Sequence, residues 1–209
     1  MNNLSRTTNE RIRKNKTRKI LTCARRVFCR KGFLDVTMQD IIDECDISRG
    51  GIYLYFASVD EIFQEVINQR NKKTFSIISK AIEEGRPFSE VLANYMDLQK
   101  KRLLNIKKSL FRAYCEYIFS KPKGAAFALR DAQLGHLRKS IMSIMMLGVS
   151  QGIIKDENIP QLADHFIVTI DGLGVLALGG ALSEGIVDEQ FLILSRMIEN
   201  IKIAKGENI

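Results

Sequence analysis

Apolar residues recur at helical spacing along nearly the whole of this 209-residue chain. Between positions 16 and 31, for example, Ile20, Ala24 and Phe28 fall at every fourth position, which places them on one face of a helix. No segment has the alternating pattern of a strand. The sequence therefore predicts an all-α fold, in which a small basic N-terminal helical unit precedes a larger, nearly neutral helical bundle.

Capping signals set the boundaries of the predicted helices. Gly32 is placed to end the first helix in a left-handed conformation, and Ser48 is a candidate N-cap. Thr37 with Asp40 and Ser58 with Glu61 have the spacing of a capping box. Pro160 suits a first helical turn and Asp188 suits an N-cap. Helices are predicted at 16–31, 37–45, 48–56, 59–84, 88–104, 106–120, 124–152, 160–183 and 188–205.

The positive charge of the chain is concentrated at its N-terminus. The net charge is +8, yet residues 1–31 contain eleven basic side chains and one acidic side chain, and the remainder is close to neutral. This pattern suits a nucleic acid, a membrane surface or a plain solvated tail. The longest uncharged run, 140–154, is shorter than the ~20 residues of a membrane span, and no signal peptide is recognisable. We therefore expect a cytoplasmic protein with no membrane partner.

Several other classes of protein are disfavoured by composition. Apolar residues make up 45% of the chain, which is enough for a packed core. Four cysteines occur without a CxxC motif or a Cys/His cluster, so neither a disulfide framework nor a metal site is expected. GxSxG, Walker and HExxH motifs are absent, and only two histidines occur. We expect no catalytic residues, no metal and no cofactor, and hence no enzyme.

Two short helices joined by a tight turn, 37–45 and 48–56, predict a helix-turn-helix. Neither helix is large enough to be stable alone, so the preceding helix must supply a third wall. The second helix of such a motif enters the major groove of DNA. Arg49 in its first turn suits bidentate contact with guanine, and Gly50 and Gly51 would let the backbone approach the bases closely. The motif narrows the candidate partners of the basic segment to duplex DNA.

The sequence SRGGIYLYF at 48–56 fits the pattern SxGxxYxYF and is followed by Ser58 and the acidic pair Asp60 and Glu61. Together with the preceding helix, these residues resemble the DNA-binding domain of the TetR family of bacterial transcriptional regulators over about residues 16–63. The resemblance implies a homodimeric, mostly repressive regulator whose C-terminal bundle dimerises and binds a small-molecule inducer. Beyond residue 63 only length and helical character match, so the inducer is not implied.

The resemblance also implies roles for individual residues. Thr37 and Ser48 would contact phosphates, Gln39 and Arg49 would face bases, and the Tyr53 and Tyr55 hydroxyls would reach the DNA backbone. The family often has glycine at position 46 and lysine at position 59, where this chain has Asp and Val. Because Val59 cannot make the phosphate contact of that lysine, the arm and the first helix would supply more of the anchoring to DNA. The predicted DNA-contacting residues are Lys16, Arg18, Thr37, Gln39, Ser48, Arg49, Gly50, Gly51, Tyr53 and Tyr55.

Each of these roles has an alternative. The two tyrosines, two positions apart, cannot share one helix face, and both could simply pack in the core. Arg49 could contact a phosphate or remain solvated. The basic segment could be a frayed, solvated end, although beside a helix-turn-helix we favour an arm that tracks phosphates or a minor groove. The predicted domains are a basic arm (1–15), the helix-turn-helix domain (16–63, with a linking helix 59–84) and a ligand-binding and dimerisation domain (64–209).

The C-terminal bundle contains two candidate functional regions. Methionines and aromatic residues at helical spacing suit either an adaptable ligand pocket or ordinary core. Glycines within an apolar helix suit close helix packing across a dimer interface. The predicted ligand-binding residues are Tyr95, Met96, Phe111, Tyr114, Met142, Met145, Met146, Phe166 and Asp171. The predicted dimer residues, on helices 160–183 and 188–205, are Gly172, Gly174, Gly179, Gly180, Phe191 and Leu194.

Three functional hypotheses follow. The first is a ligand-inducible repressor that binds a palindromic operator as a homodimer. The second is a nonspecific architectural nucleic-acid-binding protein. The third, a helical enzyme with an incidental basic end, has no motif in its favour.

Overall fold

The computed structural model describes residues 3–121 and 123–203, and within these ranges it is helical with no strand. The all-α prediction is confirmed. Nine α-helices and one short 3-10 helix (Ile106–Lys108) occur in these ranges. The α-helices are α1 (Asn3–Lys31), α2 (Met38–Cys45), α3 (Arg49–Tyr53), α4 (Val59–Glu83), α5 (Phe88–Leu104), α6 (Phe111–Ser120), α7 (Lys123–Ser150), α8 (Ile159–Leu178) and α9 (Glu184–Glu199).

The chain forms two compact units. The N-terminal unit comprises Met1–Arg70 and Lys107–Leu129, and the C-terminal unit comprises Asn71–Ile106 and Arg130–Ile209. This division differs from the domain boundary drawn after residue 63, because α6 and the start of α7 pack with the helix-turn-helix. Helices α4 and α7 each contribute residues to both units.

An aromatic cluster forms the centre of the N-terminal unit. The ring centroids of Phe28 and Phe63 are 4.9 Å apart, and Phe33 lies 5.1 Å from Phe63. Tyr117 of α6 completes the cluster at 4.9 Å from Phe33, and its hydroxyl accepts a hydrogen bond from Gln64. All four rings are buried. Burial of such rings contributes strongly to stability, so α2 and α3 are held by α1, α4 and α6 together.

The carboxylate of Glu116 in α6 fixes the loop that follows α1. It accepts hydrogen bonds from the backbone N–H groups of Phe33 (2.5 Å) and Leu34 (3.1 Å) and from the guanidinium of Arg112 (2.6 Å). Burial raises the pKa of Glu116, but these three donors outweigh that effect and leave its pKa below the usual value. Gly32 lies against the same carboxylate with φ +85°, which confirms the predicted left-handed cap.

The predicted start of the first helix at residue 16 is wrong, because α1 is helical from Asn3 and the described part of the predicted arm (1–15) belongs to this helix. No proline or glycine interrupts the sequence before Gly32, so nothing ends the helix at position 16. Burial begins only at Ile20, and the described side chains before it are exposed or half-buried. Met1 and Asn2 of the predicted arm lie outside the described residues.

The core of the C-terminal unit is formed mainly by α5, α7, α8 and α9. Its fully buried side chains include Ile144, Met145 and Phe166, and Leu194 of α9 packs with them. A smaller cluster joins Leu103 to Leu173, Val187 and Phe191. A buried hydrogen bond from the Asn71 amide to the Gln133 carbonyl (2.8 Å) links α4 to α7.

Four predicted helix boundaries in the C-terminal half are wrong, and one of them is the end of α9, which lies at Glu199 instead of 205. The segment 106–120 is divided into the 3-10 helix and α6. Helix α8 ends at Leu178 instead of 183, because Gly180 takes a left-handed conformation with φ +74°. Helix α9 begins four residues earlier than predicted, because Ser183, not Asp188, is its N-cap and accepts a hydrogen bond from the N–H of Ile186.

Helix α8 is the one helix of the described part of the chain that is long and apolar enough to span a membrane. Those two properties are shared by core helices. Here 44% of the apolar stretch is buried within the fold, and Asp164, His165 and Asp171 interrupt it. We interpret α8 as the central helix of the C-terminal bundle.

We predict that Gly32→Ala lowers the free energy of unfolding by about 2–4 kcal/mol, since a left-handed alanine costs ~1–2 kcal/mol and the Glu116 contact is lost in addition. An added Cβ would collide with the Glu116 carboxylate. Gly85→Ala is the control, because Gly85 also has positive φ (+68°) but no atom within 4 Å of an added Cβ. Urea denaturation measures both, and equal losses would contradict the role of Glu116.

Candidate nucleic-acid interface

Helices α2 and α3 form the helix-turn-helix predicted from the sequence. Asp46 joins them in a left-handed conformation (φ 51°, ψ 60°), so the turn forms without the usual glycine. Ser48 is the N-cap of α3, and its hydroxyl accepts a hydrogen bond from the N–H of Gly51. Ile41 and Ile52 are fully buried and anchor the two helices to the core.

The residues predicted to contact DNA lie at the surface of this unit. Tyr55 is half-buried and packs against the core, which is the alternative to DNA contact that we gave for the two tyrosines. Tyr53 is 44% exposed and remains available for contact. The Gln39 amide donates a hydrogen bond to Asp43 (2.7 Å). The residues exposed or half-exposed in the structure are Lys16, Arg18, Thr37, Gln39, Ser48, Arg49, Gly50, Gly51 and Tyr53.

Thr37 has a clear structural role as the N-cap of α2. Its hydroxyl accepts from the N–H of Asp40, while the Asp40 carboxylate accepts from the N–H of Thr37 (2.9 Å). Lys31 donates a further hydrogen bond to Asp40 (2.5 Å). The hydrogen bond from Lys31, together with those from Thr37, lowers the pKa of Asp40 to about 2. The predicted capping box is therefore confirmed.

The basic residues of α1 divide into two groups. Arg26 and Arg30 both donate to Glu44 of α2, at 2.7 and 3.0 Å, and thereby hold α2 against α1. The hydrogen bonds from Arg26 and Arg30 also lower the pKa of Glu44. Lys16 and Arg18, in contrast, are exposed. Ion pairs with α2 therefore occupy part of the positive charge of α1, and Lys16 and Arg18 belong to the part that faces solvent.

The two glycines of α3 differ in what surrounds them. A Cβ on Gly51 would lie 3.0 Å from the Ser48 hydroxyl, so a small residue there protects the N-cap. A Cβ on Gly50 would meet no atom within 4 Å. Packing within the protein therefore gives no reason for glycine at position 50, whereas close approach to another molecule would.

Sequence reasoning missed Leu54, which directly follows α3. Its side chain is 76% exposed although both neighbours in the motif are tyrosines and Ile52 is buried. The sequence signal for Leu54 was its place between the two tyrosines of the YxYF motif, a position to which we had assigned no role. An exposed leucine beside a recognition helix can contact a thymine methyl group.

Two cysteines of this unit have structural positions. Cys23 and Cys45 are buried, and Arg26 donates to the sulfur of Cys23 at 3.3 Å. Burial, with the neighbouring Cys23, raises the pKa of Cys45 to about 12, so its thiol stays protonated. In the part of the chain that the structure describes, no group of three or more His, Cys, Asp or Glu side chains is placed to hold a metal ion.

The predicted ligand-binding residues do not form one group. Phe111 and Tyr114 belong to the N-terminal unit, whereas Tyr95, Met145 and Phe166 are buried in the C-terminal core. The remaining four are Met96 and Met142, which are half-buried, Met146, which is 43% exposed, and Asp171, which is half-buried. Met145 is fully buried whereas Met146 is exposed, because adjacent residues point about 100° apart on a helix.

Several polar residues lie near Tyr95 inside the C-terminal unit. Burial raises the pKa of Tyr95 to about 12, and the charges of Arg102 and Asp171 act on it in opposite directions. Arg102 lies 3.9 Å from Asp171 of α8. The buried Oε1 of Gln99 accepts no hydrogen bond from any described residue. These residues combine burial with polarity, as ligand sites do.

Two cavities of the C-terminal unit are lined by α5. A groove of about 550 Å³ lies between α5 and α9, and we call it the α5–α9 groove. It has Phe88, Met96 and Phe191 in its lining, so Met96 is the one predicted ligand residue that reaches it. A smaller pocket of about 260 Å³ lies between α4 and α5 and is lined by Tyr95. Both fall near or within the size range of small-molecule sites.

The predicted dimer residues are mostly unavailable for an interface. Leu194, Phe191 and Gly174 are buried within the protomer. Gly179 and Gly180 end α8, so they serve a turn and not a helix contact. Gly172 is exposed, and an added Cβ there would meet no atom within 4 Å.

A different set of residues forms an apolar outer face on α8 and α9. Val168 is 70% exposed and Val175 is 57% exposed, with Gly172 between them at helical spacing. Ile186 and Ile193 lie on one flank of α9 and are also exposed. We call Val168, Gly172, Val175, Ile186 and Ile193 the α8–α9 outer face. In the sequence, this face is marked by branched residues seven positions apart, Val168 with Val175 and Ile186 with Ile193. Sequence reasoning missed that signal.

The fold and the surface of the N-terminal unit define a DNA-binding helix-turn-helix domain. Residues 20–66 match the family model for bacterial regulatory proteins of the tetR family. The chain is 33% identical over 99 residues to the HTH-type transcriptional regulator YfiR of Bacillus subtilis (strain 168), covering 47% of this chain and 48% of YfiR. It thus spans about half the length of that relative. This chain therefore carries the helix-turn-helix domain of the TetR family of bacterial transcriptional regulators.

Solved structures extend the similarity to the whole fold. A transcriptional regulator from Saccharomonospora viridis, in complex with choline, superposes with a TM-score of 0.70 at 25% identity and covers 91% of this chain and 99% of that chain. A TetR-family regulator from Agrobacterium tumefaciens has a TM-score of 0.68 at 18% identity, covering 91% of this chain and 100% of that chain. The helical C-terminal half therefore also has the architecture of these regulators.

We predict that Asp40→Asn lowers the free energy of unfolding at pH 7 by ~1 kcal/mol, the usual contribution of a helix cap. Because the pKa of Asp40 is about 2 in the folded protein and 3.8 ordinarily, its contribution is complete above pH 3.8 and is lost as the pH falls towards 2. Urea titrations at pH 7 and pH 3 test this, with exposed Asp43→Asn as the control. A difference between wild type and Asp40→Asn that is as large at pH 3 as at pH 7 would contradict it.

Proposed function

We propose that this protein is a ligand-responsive transcriptional repressor that binds a palindromic operator as a homodimer in the cytoplasm. The observation that carries the proposal is the surface of α3, where Arg49 and Tyr53 are exposed beside the glycine at position 50. A helix with this surface suits insertion into a major groove. The exposed cations Lys16 and Arg18 supply attraction for phosphates that does not depend on sequence.

Dimerisation is supported by the α8–α9 outer face. Gly172 has no side chain and so leaves room for a second helix to approach closely, and burial of the exposed branched side chains around it favours association. A two-fold dimer presents two copies of α3, so its operator would have two related half-sites.

Ligand response is supported by the cavities and the buried polar residues of the C-terminal unit. The buried Oε1 of Gln99, which accepts no hydrogen bond from a described residue, is a group that a ligand or an ordered water would satisfy. The structural neighbour from S. viridis was solved with choline, so choline is a reasonable first effector to test. In the proposed mechanism, effector binding shifts the dimer towards a state in which the two copies of α3 no longer fit the operator.

We predict that Arg49→Ala weakens binding to the specific site by ~1–3 kcal/mol, because a bidentate contact with guanine is lost. Lys16→Ala is the matched comparison and should weaken binding to all sequences, with the salt slope reduced by about 1. Fluorescence anisotropy on a duplex selected from random DNA, with unselected duplex of equal length as competitor, measures both effects.

The two variants also separate the candidate functions. If Arg49→Ala weakens binding to selected and unselected DNA equally, its role in base reading is wrong. If the wild type shows no preference for selected DNA or for the region upstream of its own gene, the protein is an architectural binder instead.

We predict that Val175→Asp converts the dimer into a monomer at micromolar concentration, because a desolvated carboxylate would face the partner across an apolar interface. Sedimentation equilibrium measures the mass of each species. Phe119→Asp serves as control, since Phe119 is 85% exposed on α6 and lies outside the α8–α9 outer face. A dimer that survives Val175→Asp unchanged would exclude this face as the interface.

A further inference from the structure

We propose that the α5–α9 groove binds an amphipathic organic cation, with its apolar chain along the floor of the groove and its ammonium group among the carboxylates at one end. The proposal rests on the ligand-responsive function above and adds the site and the chemical class of the effector. It is carried by the shape of the groove, its apolar floor and the arrangement of charges at that end.

The groove follows two antiparallel helices. Phe88 at the start of α5 shares the lining with Ile198 and Lys202, whereas Lys100 near its end shares the lining with Asp188. Twelve residues of helix separate Phe88 from Lys100, which corresponds to a length of about 18 Å. A cavity of about 550 Å³ with this length suits an elongated molecule.

The floor of the groove is apolar. Phe88, Phe191 and Ile198 are buried there, and Leu92 and Met96 are half-buried. An alkyl chain placed on these residues would remove apolar surface from water, which is favourable. Phe191 also offers an aromatic ring to a quaternary ammonium group, a contact that adds attraction.

The end of the groove at Lys100 is rich in carboxylates. Lys100 forms ion pairs with Asp188 and with Glu184 (3.8 Å). Its pKa is raised chiefly by the hydrogen bond to Asp188 and further by the charges of Glu184 and Asp97. Asp97 itself is paired with Lys101 at 2.6 Å. Three carboxylates therefore surround one resident ammonium group, with a second lysine at the edge.

The ammonium group of Lys100 thus marks a place where a cation is stabilised above the apolar floor. An alkylammonium ligand would present the same charge to Asp188 and Glu184, in competition with Lys100. An anionic amphiphile would meet those carboxylates with like charge, which is unfavourable. The other end, where Lys202 pairs with Glu199, is balanced and shows no such excess.

The groove is separate from the α8–α9 outer face. On α9, Asp188, Leu192 and Ser195 line the groove, whereas Ile186 and Ile193 lie on the opposite flank. A ligand in the groove would therefore leave the proposed dimer contacts of α9 uncovered.

Isothermal titration calorimetry on the protein tests the proposal with three probes: octyltrimethylammonium and octanoate below their micellar concentrations, and octan-1-ol below its solubility limit. We expect octyltrimethylammonium to bind most tightly and octanoate least. Asp188→Asn should weaken the binding of octyltrimethylammonium by a factor of about 1.5 to 5, the range expected for one exposed ion pair. Lys100→Met should strengthen it by a similar factor, because the competing ammonium group is removed.

Asp131→Asn on α7 is the matched control, since it removes the same charge from an exposed carboxylate outside the groove lining. Binding of octanoate in preference to the cation would overturn the chemical class. No heat with any probe, or equal affinities in Asp188→Asn, Lys100→Met and wild type, would overturn the site.

The same samples are then tested for DNA binding by anisotropy, so the two proposals fail separately. Loss of all binding to selected DNA in the unliganded protein would refute the proposed function without bearing on the groove. Unchanged DNA affinity in saturating octyltrimethylammonium would leave the groove as a binding site but overturn its role as the effector site.

Discussion

The position of the helix-turn-helix depends on the packing of four aromatic rings, those of Phe28, Phe33, Phe63 and Tyr117. Helix α3 has only five residues and helix α2 only eight, so neither can hold its own position. The aromatic cluster joins α1, the loop after it, α4 and α6 into one scaffold, and α2 and α3 attach to that scaffold through isoleucines. A DNA-binding surface needs such a rigid support, because a shift of a recognition helix misplaces every hydrogen bond to a base edge.

Local signals in the sequence predicted the helix-turn-helix well. The capping box of Thr37 and Asp40, the N-cap of Ser48 and the left-handed Gly32 each follow from residue type and near neighbours. The attachment of α6 to this unit could not be predicted in the same way. It depends on Tyr117 and Glu116, which lie more than eighty residues from the loop that they contact. Such long-range pairings leave no periodic signature in a single sequence.

The candidate site in the C-terminal unit shows the same limit. Periodicity identified apolar faces on α7, α8 and α9, but it could not decide which apolar residues pack inside and which remain outside. Leu194 is buried and Ile193 is exposed, although both are ordinary core residue types. The carboxylates around Lys100 come from α5 and α9, so their proximity is a property of tertiary structure alone. Gly179 and Gly180 were predicted to lie at a dimer interface, but they end α8. Glycine suits both a helix end and a close helix contact, so residue type alone did not distinguish the two.

Helix α9 has one buried face between two flanks of different character. One flank, at Ile186 and Ile193, is apolar, and the other, at Asp188 and Ser195, borders the groove. Substitutions on this single helix should therefore sort by their angle around its axis and not by their position along it. In a library of variants selected for altered regulation, neighbouring codons would give unrelated phenotypes, while codons three, four or seven apart would behave alike. A periodicity of 3.6 in such a genetic map would reveal the two surfaces without any structure.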